Sequence, residues 1–352
     1  MTLDEFAQLS AGDQAPYLRT AADAMGLPAN VIQKDFWVTW LLKKIFMLDA
    51  DIGPFTFKGG TSLSKCYNVI TRFSEDIDLG VERKTLRNSA GNFYADDAFF
   101  YQAPSKTKRL ERVDELNAAA IDFLHNILAP RLRALITDVL GTGGWALERR
   151  DDGHKLYFVY PQDGGAETSR YSRPEVLIEF GTLDAWPTEE RTISAYLATY
   201  VDALSSMEGV KVRALDIGRT FWEKAVILHQ YAHLPEGQQF RREQSRHYYD
   251  VVMIARSSYA KRCFEEIGLL AQVVRYKDAF YPVGYARYDL DADPQTLVLV
   301  PPNHVRAQLE SDYAGMAGEM IFPNPTPPTF TELEQELTRI QDLLRQPSEK
   351  AG

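Results

Sequence analysis

The stretch Phe57 to Val81, FKGGTSLSKCYNVITRFSEDIDLGV, restricts the fold more than any other part of the chain. From Asp76 to Val81 polar and apolar residues alternate, the period of a strand buried on one face. Ile77, Leu79 and Val81 then face a core, and Asp76 and Asp78 project from the opposite side. At roughly 5 Å and an effective dielectric of about 20, two such carboxylates repel by about 3 kcal/mol. A divalent ion with hard oxygen ligands, Mg²⁺ held together with substrate phosphates, would relieve that repulsion. Two solvated acids at a strand end are the plainer alternative. Just upstream, Gly59 and Gly60 sit between a short apolar strand, PFTF, and a helix start at Thr61 to Tyr67. Their missing side chains let backbone N–H groups approach a ligand, and a helix N-terminus favours an anion such as a di- or triphosphate. Fifteen residues separate Gly60 from Asp76, enough for one helix that returns the chain to a neighbouring strand.

At 352 residues the chain is long enough for two ordinary domains, and 45% hydrophobic with 25% charged residues describes a soluble globular protein. The net charge of −10 argues against nonspecific nucleic-acid binding over the whole surface, so any RNA contact must be local. Cys66 and Cys263 make no disulfide framework, and MTLDEFAQLS lacks the basic and apolar regions of a signal peptide, which points to the cytoplasm. The apolar run FWVTWLLKKIFML carries Lys43 and Lys44 and is too short to span a bilayer, so it reads as a buried helix and no membrane is implied.

Along the chain, a helical pattern runs from about residue 14 to 48 and a turn at Asp51-Ile52-Gly53-Pro54 ends it. Residues Glu82 to Arg112 read as polar and irregular, with a basic stretch SKTKRLER, before a long helical pattern from Val113 to Leu140. LGTGGW lacks a following GK[ST] and reads as a turn. Strands are expected at 145–163 and 174–183, the latter placing Glu179 in an otherwise apolar run. The pattern breaks at Ser205 to Gly209, giving domains 1–210 and 211–352. The second is expected to be helical, at Arg219–His233, Ser245–Ser257 and Lys261–Val274. A proline-rich linker at Asn324–Pro328 leads to a final helix with Thr331 and Glu334 as a capping box and an apolar stripe of Leu333, Leu337, Ile340 and Leu344. His229 and His233 lie one helical turn apart without a third ligand at metal-site spacing, and so read as structural.

FKGGTSLSK followed by RFSEDIDL resembles the AbiEii/AbiGii toxin group of polymerase-β-like nucleotidyltransferases. RPEVLIEFG, RTFWEKAVILH, SRHYYDV and the helix IQKDFWVTWLL extend the likeness, in the family's order, over roughly residues 30 to 255. The gap between the glycines and the acids is somewhat longer than in the general nucleotidyltransferase pattern. The resemblance implies an α+β fold, a polymerase-β-like domain with a mixed sheet followed by a helical C-terminal domain, with the active site in the cleft between them. It implies Mg²⁺ (or Mn²⁺) on Asp76, Asp78 and Glu179, with NTP as substrate. Gly59, Gly60, Thr61, Ser62, Lys65 and Ser74 would bind that NTP, Lys224 would contact its triphosphate, and Asp250 would take a catalytic or positioning role. Without the likeness, Glu179 reads as a buried acid paired with Arg173, Lys224 as a snorkelling lysine and Asp250 as an i, i+4 partner of Arg246. The implied activity is that of a toxin of a toxin–antitoxin system used in abortive infection. It would transfer nucleotides to an RNA acceptor, a tRNA 3′ end, under the control of a cognate antitoxin. Transfer to a protein or to a small molecule such as an antibiotic, and an inert binding module, are the alternatives. The basic segment Lys106, Lys108, Arg109 and Arg112 favours RNA, with a solvated loop as the plainer alternative.

Overall fold

In the computed structural model, which describes residues 1–94, 98–151, 153–162, 173–184, 186–319 and 326–346, the chain divides into two compact units. The first comprises residues 1–66 and 73–215, the second 67–72 and 216–352. The first unit opens with helices α1 (Leu3–Ala7), α2 (Ala11–Met25), α3 (Ala29–Met47) and α4 (Asp49–Ile52), then strand β1 (Phe55–Lys58), helix α5 (Gly59–Lys65) and strand β2 (Ile77–Glu82). It continues through α6 (Ala98–Tyr101), α7 (Lys106–Asp122), a π-helical turn (Phe123–Leu128) and α8 (Ala129–Leu140). Strands β3 (Ala146–Glu148), β4 (Lys155–Val159), β5 (Glu175–Leu183) and β6 (Thr188–Ile193), helix α9 (Tyr196–Tyr200) and strand β7 (Val210–Leu215) complete it.

The seven strands form one mixed sheet in the order β3-β4-β5-β2-β1-β7-β6. β2 runs antiparallel to β1, with Phe57 opposite Leu79, and parallel to β5, with Ile77 opposite Ile178. This register puts Phe55, Phe57, Ile77, Leu79, Val81, Ile178 and Phe180 on one face, all buried. Helices cover that face. Phe123 meets Phe55 and stacks on Phe180 at 5.6 Å, and Trp37 and Trp40 of α3 contact Phe158 of β4. The opposite face carries the partly exposed Lys58, Asp78, Lys155 and Glu179, beside the buried Thr56 and Leu183.

Several boundaries differ from the sequence reading, each for a local reason. The helical pattern from 14 to 48 is two helices, because Gly26 adopts φ 66 and terminates α2 in a left-handed cap. SKTKRLER is not irregular: Ser105 caps α7 by accepting the Lys108 N–H, so the basic residues occupy the first turns of that helix. The expected strand at 145–163 is a hairpin of β3 and β4, and position 163 lies outside the described residues. β6 and β7 were not foreseen. β6 reads TEERTI, a charged edge strand with little apolar alternation.

In the second unit, helices α10 (Ile217–Ala232), α11 (Ser245–Ala255), α12 (Ala260–Glu265), α13 (Gly268–Phe280), α14 (Tyr288–Asp291), α15 (Asn303–Glu319) and α16 (Phe330–Arg345) pack together. α10 starts where Asp216 accepts the Arg219 N–H at 3.1 Å, and it packs on α11 and α13. α16 buries Leu333, Leu337, Ile340 and Leu344, but its capping box is Thr329 with Glu332, two residues earlier than the expected pair. Residues 324 and 325 of the expected proline-rich linker lie outside the described residues. Among the described residues no helix is long and apolar enough to cross a membrane.

His229 is fully buried on α10, and its Nδ1 accepts the Val298 N–H at 2.9 Å. Burial, aided by the adjacent His233 ring, lowers its pKa to about 4. A histidine held neutral in the fold contributes stability that is present above its unfolded pKa of about 6.5 and is lost as pH falls through the folded value. Thermal melts should therefore show Tm falling between pH 6.5 and about 4. His229→Asn, which keeps an acceptor for Val298 but cannot titrate, should make that decline shallower.

Candidate functional site

Glycine, acid and lysine meet on the face of the sheet opposite the aromatic core. Asp78 lies opposite Lys58 on β1 and beside Glu179 on β5, and Glu179 lies opposite Lys155 on β4. Register partners on adjacent strands point to one face about 4.8 Å apart, so the four form a row of charges, Lys58, Asp78, Glu179, Lys155. The two inner carboxylates repel. Lys58 Nζ lies 3.8 Å from Asp78 and Lys155 Nζ 3.2 Å from Glu179, offsetting that repulsion from either side. Glu179 pairs with Lys155 and raises that lysine's pKa. Asp76 immediately precedes β2, two residues before Asp78, so the alternation of an extended chain assigns it to the same face.

Gly59 sets how closely Asp78 approaches the glycine turn. It adopts φ 78, and a Cβ built on it would lie 1.8 Å from Asp78 Oδ2, so only glycine admits the carboxylate there. Gly59 and Gly60 are the first two residues of α5 itself, and the helix ends at Lys65.

The hydroxyls of this helix turn inward. Thr61 Oγ1 donates to the Asp76 carbonyl at 2.6 Å and lies 2.9 Å from Ser74 Oγ, while Ser62 Oγ donates to the Gly59 carbonyl at 2.9 Å. These bonds lock the glycine turn to the start of β2. Lys65 is buried against Asp35 of α3, which also accepts the Tyr196 N–H at 2.8 Å. Lys34, beside it in sequence, donates to Glu75 at 2.8 Å. Two consecutive residues of IQKDFW thus tie down both motifs. Of the three acids in EDID, Glu75 is thus an anchor, paired with Lys34 of α3.

In the second unit Lys224 of α10 and Asp250 of α11 meet. Lys224 Nζ is 2.8 Å from Asp250 Oδ2, with the lysine side chain 8% and the aspartate 0% exposed. Asp250 does not pair with Arg246. Its second partner is Arg72, whose Nε and Nη2 reach Oδ1 and Oδ2 at 2.7 and 2.8 Å. Burial alone would raise the Asp250 pKa, but the Arg72 and Lys224 cations outweigh it and hold the carboxyl well below the usual range.

Sequence reasoning missed Lys58, Lys155, Arg72 and the Lys34–Asp35 pair. Lys34 and Asp35 stood inside a quoted motif as the only charges in IQKDFWVTWLL, a signal for buried pairing that was available. Among the described residues no three His, Cys, Asp or Glu side chains converge as a metal-holding group. The donor chemistry of Asp76, Asp78 and Glu179 is nevertheless that of a hard divalent cation, and the gap that Gly59 leaves for Asp78 suits a ligand set built from carboxylate oxygens.

A family model described as nucleotidyl transferase AbiEii toxin, type IV TA system, matches residues 40–336. Solved structures similar to the chain include JHP933 from Helicobacter pylori, 15% identical over 89% of this chain and 91% of that one, with a TM-score of 0.40. They also include MenT4, a nucleotidyltransferase toxin from Mycobacterium tuberculosis H37Rv, 16% identical over 95% and 99%, with a TM-score of 0.40. No curated protein matches.

Replacing Gly59 by Ala should cost about 1–2 kcal/mol for a Cβ in left-handed backbone, and it should also displace Asp78. The expected outcome is a folded protein with lowered Tm and little NTP turnover. Wild-type turnover would show that the close approach of Asp78 is not needed.

Proposed function

The chain belongs to the AbiEii nucleotidyltransferase toxin family of type IV toxin–antitoxin systems, and from that premise we propose that it transfers nucleotides from an NTP to an RNA acceptor, the 3′ end of tRNA, with Mg²⁺ (or Mn²⁺). The observation that carries this reading is the side-by-side placement of Asp78 and Glu179, both partly exposed, on adjacent strands, with Asp76 just before the strand's start. Asp76, Asp78 and Glu179 would hold the ion, which when bound lowers the charge of the phosphate oxygens that repels an incoming hydroxyl. The backbone at Gly59 and Gly60 would seat the phosphates, Ser74 would lie at the same turn, and Thr61, Ser62 and Lys65 would keep that turn in shape. Lys224 would neutralise the triphosphate, oriented by Asp250.

The RNA acceptor is favoured over a protein or small molecule by the first turns of α7. There Lys106, Lys108, Arg109 and Arg112 stand on an ordered helix. Such a local cluster is what an acidic chain needs to bind RNA. The family also implies an antitoxin partner that restrains the activity.

Asp76→Asn or Asp78→Asn removes a charge and almost no volume. Either change should abolish transfer, measured as label from each NTP appearing on total cell RNA, and leave the thermal melt unchanged or slightly higher as repulsion is relieved. Expression of the wild-type chain alone should slow bacterial growth, and the Asp76→Asn form should not. Wild-type turnover in either variant would remove the acids from the mechanism. Label on protein or on a small molecule would move the acceptor while leaving the transferase reading in place.

A further inference from the structure

Residues 67–72 lie in sequence between the glycine helix α5 and the acid strand β2, yet they belong to the helical unit. Three side chains of that unit grip them. The Tyr67 ring stands edge-on to Tyr259 at 5.5 Å, the Thr71 N–H donates to Tyr249 Oη at 3.2 Å, and Arg72 forms its two-pronged bond with Asp250. The residue after Tyr249 on α11 is Asp250, so adjacent residues of one helix hold adjacent residues of the segment.

Asp250 is the point at which two cations compete for one charge. Arg72 occupies both carboxylate oxygens, and Lys224 shares only Oδ2. Paired guanidinium–carboxylate bonds are strong and fixed in direction, whereas an ammonium is a compact charge on a flexible stem. In this buried setting, where Arg72 is 3% and Asp250 0% exposed, each charge on the carboxylate acts with little screening from water. His247, on the same helix, is kept neutral by burial and by Lys224 and Arg246, so it adds no competing charge.

We propose that Arg72 is a positioning residue for NTP binding: its two bonds to Asp250 share that single carboxylate charge between two cations, so the Arg72–Asp250–Lys224 cluster keeps one net positive charge with which Lys224 can engage a phosphate. The inference rests on the proposed contact between Lys224 and the triphosphate. Without Arg72, Asp250 and Lys224 become a closed neutral pair, and a phosphate must break that pair to bind.

Charge balance separates this role from a merely structural one. Affinity for a non-hydrolysable NTP analogue with Mg²⁺ would be measured by titration calorimetry on the full chain, with folding checked by circular dichroism. Arg72→Gln should weaken binding by about tenfold, the size of one charge-assisted hydrogen bond. Arg72→Lys, which keeps the positive charge beside Asp250, should recover most of that loss, because one carboxylate is again shared between two cations. If Arg72 only braced the fold, the loss would follow Tm, and Arg72→Gln held well below its melting range would bind as wild type. Should Arg72→Gln fail to fold because it strands a buried carboxylate, Arg72→Lys still decides: near wild-type affinity supports the inference and a tenfold loss overturns it. Lys224→Ala is the reference. If it weakens binding and Arg72→Gln does not, the inference fails alone. If Lys224→Ala binds as wild type, the triphosphate contact itself is wrong and the inference falls with it.

Discussion

Two carboxylates placed side by side on neighbouring strands, Asp78 and Glu179, are the arrangement on which the rest of the first unit depends. Like charges directly opposite one another destabilise a sheet. This sheet tolerates them because its other face supplies the stability: Phe55, Phe57, Leu79, Ile178 and Phe180 are buried under α3 and the helices that follow α7. A shift of register by one residue would exchange the two faces and put both acids in the core. The apolar pattern that folds the unit is therefore the same pattern that aims the acids at solvent, and Lys58 and Lys155 offset their repulsion.

The glycine turn is held against those acids by buried ion pairs. Lys34 and Asp35 sit on the largely buried helix α3, where isolated charges would be costly, and each finds a partner in a different motif, Glu75 and Lys65. Buried pairs of this kind add little net stability, but deleting one member strands the other at a cost of about 3–5 kcal/mol. They act as registration pins. Asp250 serves the second unit in the same way, joining α10, α11 and the segment that carries Arg72.

Much of this was legible before any coordinates. The alternation DIDLGV gave β2 and its two faces, and the apolar run at Phe36 gave the buried part of α3, because both signals are local and strongly periodic. The resemblance brought Glu179, Lys224 and Asp250 into view, and the sheet register then set Glu179 beside Asp78. What stayed hidden was long-range pairing. Nothing within a few residues of Arg72 indicates that its partner lies 178 positions away. The hydroxyls of GGTSLS read equally well as ligand donors or as internal locks until the turn closes on Asp76. β6 escaped because an edge strand with charges on both sides lacks the pattern that identifies a strand.

The central claim is that Asp76, Asp78 and Glu179 form a metal-dependent NTP site, and calorimetric titration of a non-hydrolysable NTP tests it directly. With Mg²⁺ present the wild-type chain should bind. Chelation with EDTA should remove most of the binding, and in the Asp78→Asn chain added Mg²⁺ should not restore it. Equal affinity with and without Mg²⁺, or an Asp78→Asn chain that binds as tightly as wild type in its presence, would contradict the account.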